Sequence, residues 1–226
     1  MKKILFSWSG GKDSAIALHE VQQSGEYEIV SLLTTITQDY DRISMHGVRR
    51  VLLEEQARTL DIPLHQIWIS PKTTNEEYES KMSEAMNFYK TQGVDTVAFG
   101  DLFLEDIRNY RDEKLSLVGM KGLYPVWERD TKQFIKDFLS LGFKAILTCI
   151  DPRKLDKEFA GRIIDENFIA DLPDEVDPCG ENGEFHTFVF AAPNFKHEIE
   201  FEIGEKVLRD GFYFCDLQGT QASCLP

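Results

Sequence analysis

The chain has 226 residues, of which 42% are apolar and 28% charged, an ordinary globular composition that argues against a fibrous or disordered protein. Asp and Glu number 39 against 25 Lys and Arg, so the net charge is −14, which disfavours a nucleic-acid surface but not a local pocket for one small phosphate ligand. No apolar run approaches the roughly 20 residues of a membrane span. The cysteines (Cys149, Cys179, Cys215, Cys224) are widely spaced and form no CxxC pair, so neither a disulfide framework nor a structural zinc site is expected. These features predict a cytoplasmic protein with no nucleic-acid and no membrane partner. A homodimer is compatible with the size class.

Strand and helix patterns alternate along the first two thirds of the chain. Lys3 to Trp8 is a short apolar strand. Asp13 to Gln23 is a helix with apolar Ala15, Ile16, Ala17, Leu18 and Val21, and Gly25 follows as a C-terminal cap. Tyr27 to Ile36 is a strand, Val48 to Leu60 a charged amphipathic helix and Leu64 to Ile69 a strand. Asn75 to Thr91 is a helix with a Glu-rich, solvated first half. Val94 to Phe99 is a strand, Thr131 to Leu141 a helix and Phe143 to Ile150 a strand. Such alternation predicts βαβ units and a parallel sheet, which binds ligands at the carboxyl ends of its strands. The loops after Trp8, Ile36, Phe99 and Ile150 then form the functional edge.

The texture changes after Asp151-Pro152. Pro, Gly and Asp clusters precede three β-like runs, Phe185 to Ala191, His197 to Ile203 and Gly211 to Leu217. The expected division is a first domain over 1–150, a smaller α+β domain over 151–217 and a tail over 218–226.

The strongest local signal is Ser7-Trp8-Ser9-Gly10-Gly11-Lys12-Asp13-Ser14, placed directly after the first strand and opening the first helix. Adjacent glycines allow close backbone approach to an anion, and the helix start offers unpaired N–H groups and the positive dipole end. Ser9 and Ser14 add hydroxyls, and Asp13 can cap the helix or hold a magnesium ion. The spacing is neither that of the Walker A loop nor that of the GxGxxG turn. SGGKDS instead resembles the PP-loop, SGGxDS, of ATP pyrophosphatases, which grips the β- and γ-phosphates while chemistry occurs at the α-phosphate. Far downstream, Glu175-Val176-Asp177-Pro178-Cys179-Gly180-Glu181-Asn182-Gly183-Glu184-Phe185-His186-Thr187 packs carboxylates, an amide, a thiol and an imidazole into one Gly-rich segment. Such a group can position a polar substrate and move protons.

Together SGGKDS and GENGEFHT resemble the diphthine–ammonia ligase family in its compact archaeal and bacterial form. Phe99-Gly100-Asp101-Leu102-Phe103-Leu104-Glu105-Asp106-Ile107-Arg108 and Tyr124-Pro125-Val126-Trp127 resemble its middle segments, so the likeness covers roughly residues 1 to 217. It implies an α/β fold with a Rossmann-like parallel sheet of the adenine nucleotide α-hydrolase (PP-loop) type, followed by a smaller α+β substrate domain. It also implies ATP, Mg2+ and ammonium as reactants, and elongation factor two carrying diphthine as the partner. The carboxylate would be adenylated and then attacked by ammonia, releasing AMP and pyrophosphate.

In that reading Ser7, Ser9, Gly10, Gly11, Lys12, Asp13, Ser14, Thr34 and His46 bind the nucleotide, with Lys12 exposed and Asp13 on the metal. Gly100, Asp101, Glu105, Arg108, Glu181 and Asn182 meet the substrate, and Glu184, His186 and Asp13 are catalytic. His65 and His197 are expected at the surface and Trp68 and Trp127 in the core. Two alternatives stay open: ATP-dependent amidation of a small metabolite, and a non-catalytic ATP-binding sensor. A tRNA-modifying PP-loop enzyme would need a basic face and paired cysteines, which this chain lacks.

Overall fold

The computed structural model describes residues 1–44 and 46–220, so Cys224 and the expected tail beyond residue 220 lie outside the described residues. In chain order the elements are β1 (Lys2–Ser7), α1 (Lys12–Ser24), β2 (Tyr27–Thr37), β3 (Arg42–Ile43), α2 (Arg50–Leu60), β4 (Leu64–Ile69), α3 (Asn75–Thr91), β5 (Thr96–Ala98), α4 (Glu105–Leu117), β6 (Lys121–Leu123), α5 (Thr131–Ser140), β7 (Lys144–Ile150), α6 (Glu166–Asp171), β8 (Phe185–Ala191), β9 (Phe201–Arg209) and β10 (Phe212–Gly219). They form two compact units. One takes Met1–Ser9, Asp13–Asp41 and Asp61–Glu128; the other takes Gly10–Lys12, Arg42–Leu60 and Arg129–Pro226. The texture change near residue 151 thus falls inside the second unit.

In the first unit five strands pair in parallel in the order β4-β2-β1-β5-β6. This is the expected Rossmann-like sheet. One face is sealed by Leu5, Leu33 and Val97 against Ala85, Met86 and Tyr89 of α3 and Leu115 of α4. Helix α3 starts where the sequence places it because Thr74 and Glu77 form a reciprocal capping box. Helix α4 and strand β6 went unpredicted. The N-cap residue of α4, Leu104, makes no side-chain cap, and Ile107, Tyr110 and Leu117 are exposed, so no inward stripe marks the helix. Trp68 is not a core residue. It is 39% exposed on β4, an edge strand whose alternation turns it outward. Trp127 is half-buried.

The second unit is built on an antiparallel sheet in the order β8-β7-β10-β9. Strand β7 was expected to continue the βα alternation. Its burial is continuous from Ala145 to Ile150, the pattern of a parallel core strand, but here β8 and β10 flank it in opposite direction. The loop after Ile150 is therefore not on a parallel-sheet edge. Asp210 and Gly211, both at positive φ, form the two-residue turn of the β9–β10 hairpin. That turn pairs Arg209 with Phe212 and places β9 over residues 201–209 rather than 197–203. Asp130 caps α5, which buries Phe134, Ile135 and Phe138. Among the described residues no helix is long and apolar enough to cross a membrane.

Candidate functional site

The phosphate-loop candidates fall in both units. In the first, Asp13 lies in the first turn of α1, and the hydroxyls of Ser9 and Ser14 are 3.0 Å apart. Gly100, just past β5, runs so close to the start of α1 that a Cβ there would lie 2.7 Å from both Cα and N of Ser14. A glycine is required because the strand end passes directly against helix backbone. Asp101 follows and is ion-paired with Arg111. Burial pushes the Asp101 carboxyl up, opposed by the Arg111 charge and reinforced by Asp13. A cavity of about 450 Å³ lies between α3 and α4 over the sheet face of Leu33 and Val97, where Glu76, Glu79, Arg111 and Lys114 line it together with Met86 and Phe99. Thr34 is 4% exposed, and its hydroxyl has no hydrogen-bond partner among the described residues. Thr34 faces the side of β2 opposite Leu33, so its orphaned hydroxyl lies outside that cavity, and an unsatisfied buried hydroxyl near a strand end suits a polar group of a ligand.

Glu105 is exposed at the start of α4. The Arg108 guanidinium lies over Tyr124 and Trp127, 4.7 and 4.5 Å from the ring centres. That stacking gives Arg108 a packing function. Arg111, which sequence reasoning did not single out, is the residue that neutralises Asp101.

In the second unit Gly10 has φ +74, and its carbonyl accepts from the Val189 N–H of β8 and from Gln56 Nε2 of α2, both at 2.9 Å. The Lys12 N–H donates to Thr187 Oγ1 at 3.0 Å. Lys12 is only 3% exposed, contrary to expectation, with its ammonium 5.7 Å from the centre of the Phe185 ring. Its aliphatic stem is covered, which a reading by motif position alone does not show.

His46 and His186 stack with ring centres 4.5 Å apart. Burial lowers the His46 pKa to about 3, helped by His186 and Lys12 and opposed by a hydrogen bond to the Thr187 backbone. Burial, followed by the Lys12 charge, lowers His186 to about 4. Both rings are therefore neutral at pH 7. His197 lies at the surface as expected, and His65 is partly exposed. His65 Nδ1 is 3.0 Å from the Tyr89 hydroxyl, and His197, more than half exposed, pairs with Glu55.

Glu184 is 2% exposed and organises the downstream segment. Its Oε1 accepts from the Asp177 N–H at 3.1 Å and from Asn182 Nδ2 at 3.0 Å, and its Oε2 accepts from the Asn182 N–H at 2.9 Å. Asp177 in turn accepts from the N–H groups of Cys179 and Glu181 and from the Thr131 hydroxyl. The buried Cys179 thiol donates to the Thr131 carbonyl. The carboxylates of Glu184 and Asp177 thus hold the loop, and Glu181 and Asn182 are carried by it. Gln56 and Thr187 were absent from the sequence-based candidates. Thr187 closes the GENGEFHT segment and was legible there, whereas Gln56 sits in an amphipathic helix with no motif around it.

Among the described residues no group of three or more His, Cys, Asp and Glu side chains is arranged to hold a metal. Asp13 suits a magnesium ion only as the kind of partner such an ion takes together with substrate phosphates, one or two carboxylates at a time.

Comparison with known proteins agrees with this architecture. A sequence model of the diphthamide synthase N-terminal domain matches residues 1–122, and one of the diphthamide synthase C-terminal domain matches residues 130–221. The diphthine–ammonia ligase of Schizosaccharomyces pombe is 24% identical over 96% of this chain, which spans only 39% of that longer protein. The Danio rerio ligase is 26% identical over 88% of this chain and 86% of its own length. The Homo sapiens ligase is 23% identical over 91% and 85%.

Proposed function

The chain belongs to the diphthamide synthase family, and from that premise we propose that it is an ATP-dependent ligase that joins ammonia to a carboxylate and releases AMP and pyrophosphate. The observation that carries the reading is the SGGKDS loop, set between a parallel strand and the helix it opens, in a chain matched by both domains of the family. The relatives are named for diphthine, which supports taking diphthine's carboxylate as the acceptor, and the family resemblance adds elongation factor two as its carrier.

A carboxylate is a poor electrophile in water. In the proposed reaction its oxygen attacks the α-phosphorus of ATP and pyrophosphate leaves. Ammonia then attacks the acyl carbon, AMP leaves with the bonding pair, and the nitrogen gives up a proton. The first-turn N–H groups of α1 beyond Lys12, with the hydroxyls of Ser9 and Ser14, stabilise the departing pyrophosphate. A magnesium ion bound with the phosphates would supply further charge neutralisation, and Asp13 would hold it. The orphaned Thr34 hydroxyl near the end of β2 supports seating the adenine at that strand end. His186, unprotonated at neutral pH, can take the proton from the attacking nitrogen, and His46 keeps its ring in place. Glu184 keeps the 177–184 loop folded so that Glu181 and Asn182 face the acceptor. Free ammonium is the nitrogen source.

The test is product analysis with Mg-ATP and ammonium, with and without elongation factor two carrying diphthine. AMP and pyrophosphate formed only with the modified factor establish the ligase. AMP formed only with another carboxylate keeps the chemistry and discards the acceptor. ATP bound but never consumed rejects the ligase in favour of a sensor. Asp13→Ala and Ser14→Ala should each abolish AMP formation in a folded protein, and normal turnover in either removes the phosphate-loop assignment.

A further inference from the structure

We infer that Gln56 and Thr187 are positioning residues that hold the Gly10–Lys12 backbone in its phosphate-receiving conformation, and so couple the loop to the downstream GENGEFHT segment. The inference rests on the phosphate-loop reading above. A loop with two adjacent glycines samples many backbone conformations unless something outside it fixes them. Anion binding needs its N–H groups aimed at the ligand, so its carbonyls must be tied down on the other side.

The second unit does this with its own residues. The Gly10 carbonyl takes two donors, Val189 N–H and Gln56 Nε2, each at 2.9 Å. The Gln56 amide uses its other proton on the Val189 carbonyl at 2.7 Å, so one side chain clamps loop and strand together. Gln56 has 0% exposure, so water does not compete for either bond. The fit is close: a Cβ on Gly10 would fall 2.6 Å from Gln56 Oε1.

Two residues on, Thr187 Oγ1 accepts the Lys12 N–H at 3.0 Å, so this N–H is a tether to β8 and not one of the groups offered to the phosphate, and Thr187 is 3% exposed. This bond spans 175 positions in sequence. It links the loop to the residue directly after His186 and three after Glu184. A disturbance of β8 at Thr187 therefore reaches the phosphate loop directly through one hydrogen bond, with the Val189 N–H to Gly10 bond two residues along the same strand. Neither residue has to touch the ligand for this to happen.

Thr187→Val keeps the shape and removes the acceptor, and Thr187→Ser restores it. Gln56→Leu removes both donors. Each protein is assayed for binding of a non-hydrolysable ATP analogue, for KM of ATP and of ammonium, and for amide exchange over residues 8–14 without nucleotide. Thr187→Val and Gln56→Leu should speed exchange in the loop and weaken the analogue by roughly five- to tenfold, the loss expected for one or two buried hydrogen bonds. The KM of ATP should rise in step while that of ammonium stays put, and Thr187→Ser should recover both. If Gln56→Leu does not fold, the Thr187 pair carries the test.

Wild-type affinity in Thr187→Val overturns the inference. So does faster exchange without weaker binding, or failure of Thr187→Ser to rescue. A wild-type chain that binds no ATP at all overturns the phosphate-loop reading itself, and the positioning role with it. Loss confined to the variants isolates the tether.

Discussion

In the folded chain His46 and His186 titrate near 3 and 4, but in the unfolded chain both take up protons near the ordinary value of 6.5. The unfolded state therefore binds more protons across the window between, and stability rises with pH there. Their contribution is complete above about pH 6.5 and is lost progressively as the pH falls towards 4. His186 alone is worth roughly 2–3 kcal/mol over that window. His186→Gln should make the plot of melting temperature against pH shallower between pH 6.5 and 4, and an unchanged slope would contradict the assignment. Asp216 acts lower on the scale. Hydrogen bonds from Arg49 and Arg42 hold its carboxyl down at about 2. Its contribution is present above the ordinary carboxylate range and lost as the pH falls through about 2. Asp216→Asn should cost about 1 kcal/mol at pH 7, after allowance for solvent screening, and only a small fraction of that at pH 2. Urea titrations at the two pH values distinguish this from a loss of packing, which would persist at both.

At the scale of elements, two segments owe their shape to one residue each. The acceptor oxygens of Glu184 meet three donors from the 177–182 loop. Glu184→Gln would point an NH2 at one of them and leave a buried donor unmet, at a cost of roughly 1–3 kcal/mol. If Glu184 holds the loop, stability and activity fall together in this variant. Full stability with lost turnover would instead make it a proton-transfer residue. Gly100→Ala would press a methyl group into the backbone of Ser14 and should cost about 1–3 kcal/mol in a denaturant titration. A neutral effect would mean that β5 and the start of α1 can move apart. These two cases also show what the sequence could tell. The parallel strands, α3 with its capping box and the loop at the β1–α1 junction were legible, because period, caps and glycine spacing are local signals. The antiparallel setting of β7 was not, since continuous burial looks alike in both kinds of sheet. Nor was the clamp of Gln56 on Gly10, a contact across 46 positions between residues with no shared pattern. The burial of Lys12 was hidden for the same reason: the side chains that cover it come from β8.

At the scale of the whole molecule the decisive quantity is the net charge of −14. A polyanion gains affinity chiefly by exchanging its counterions for Lys and Arg, and the gain falls steeply with salt. Much of this chain's positive charge is committed locally. Arg42 and Arg49 are spent on Asp216, Arg111 on Asp101, Arg153 on Asp151 and Arg162 on Asp171. What is left opposes the approach of an RNA backbone rather than guiding it, while a protein acceptor with basic surface would be drawn in. Filter binding with bulk tRNA at about 150 mM salt should show no retention at micromolar protein, weaker than the roughly 10⁻⁶ M at the tight end of non-specific binding. A tighter constant with a steep salt slope would reveal a cationic face and return the tRNA-modifying PP-loop enzymes to contention. The same net charge predicts the opposite salt response for the proposed acceptor only if that acceptor presents positive charge around its modified residue. In that case kcat/KM for the factor should fall as salt rises, while the KM for ammonium barely changes. A fall in both together would place the salt effect on the enzyme's own fold rather than on the encounter.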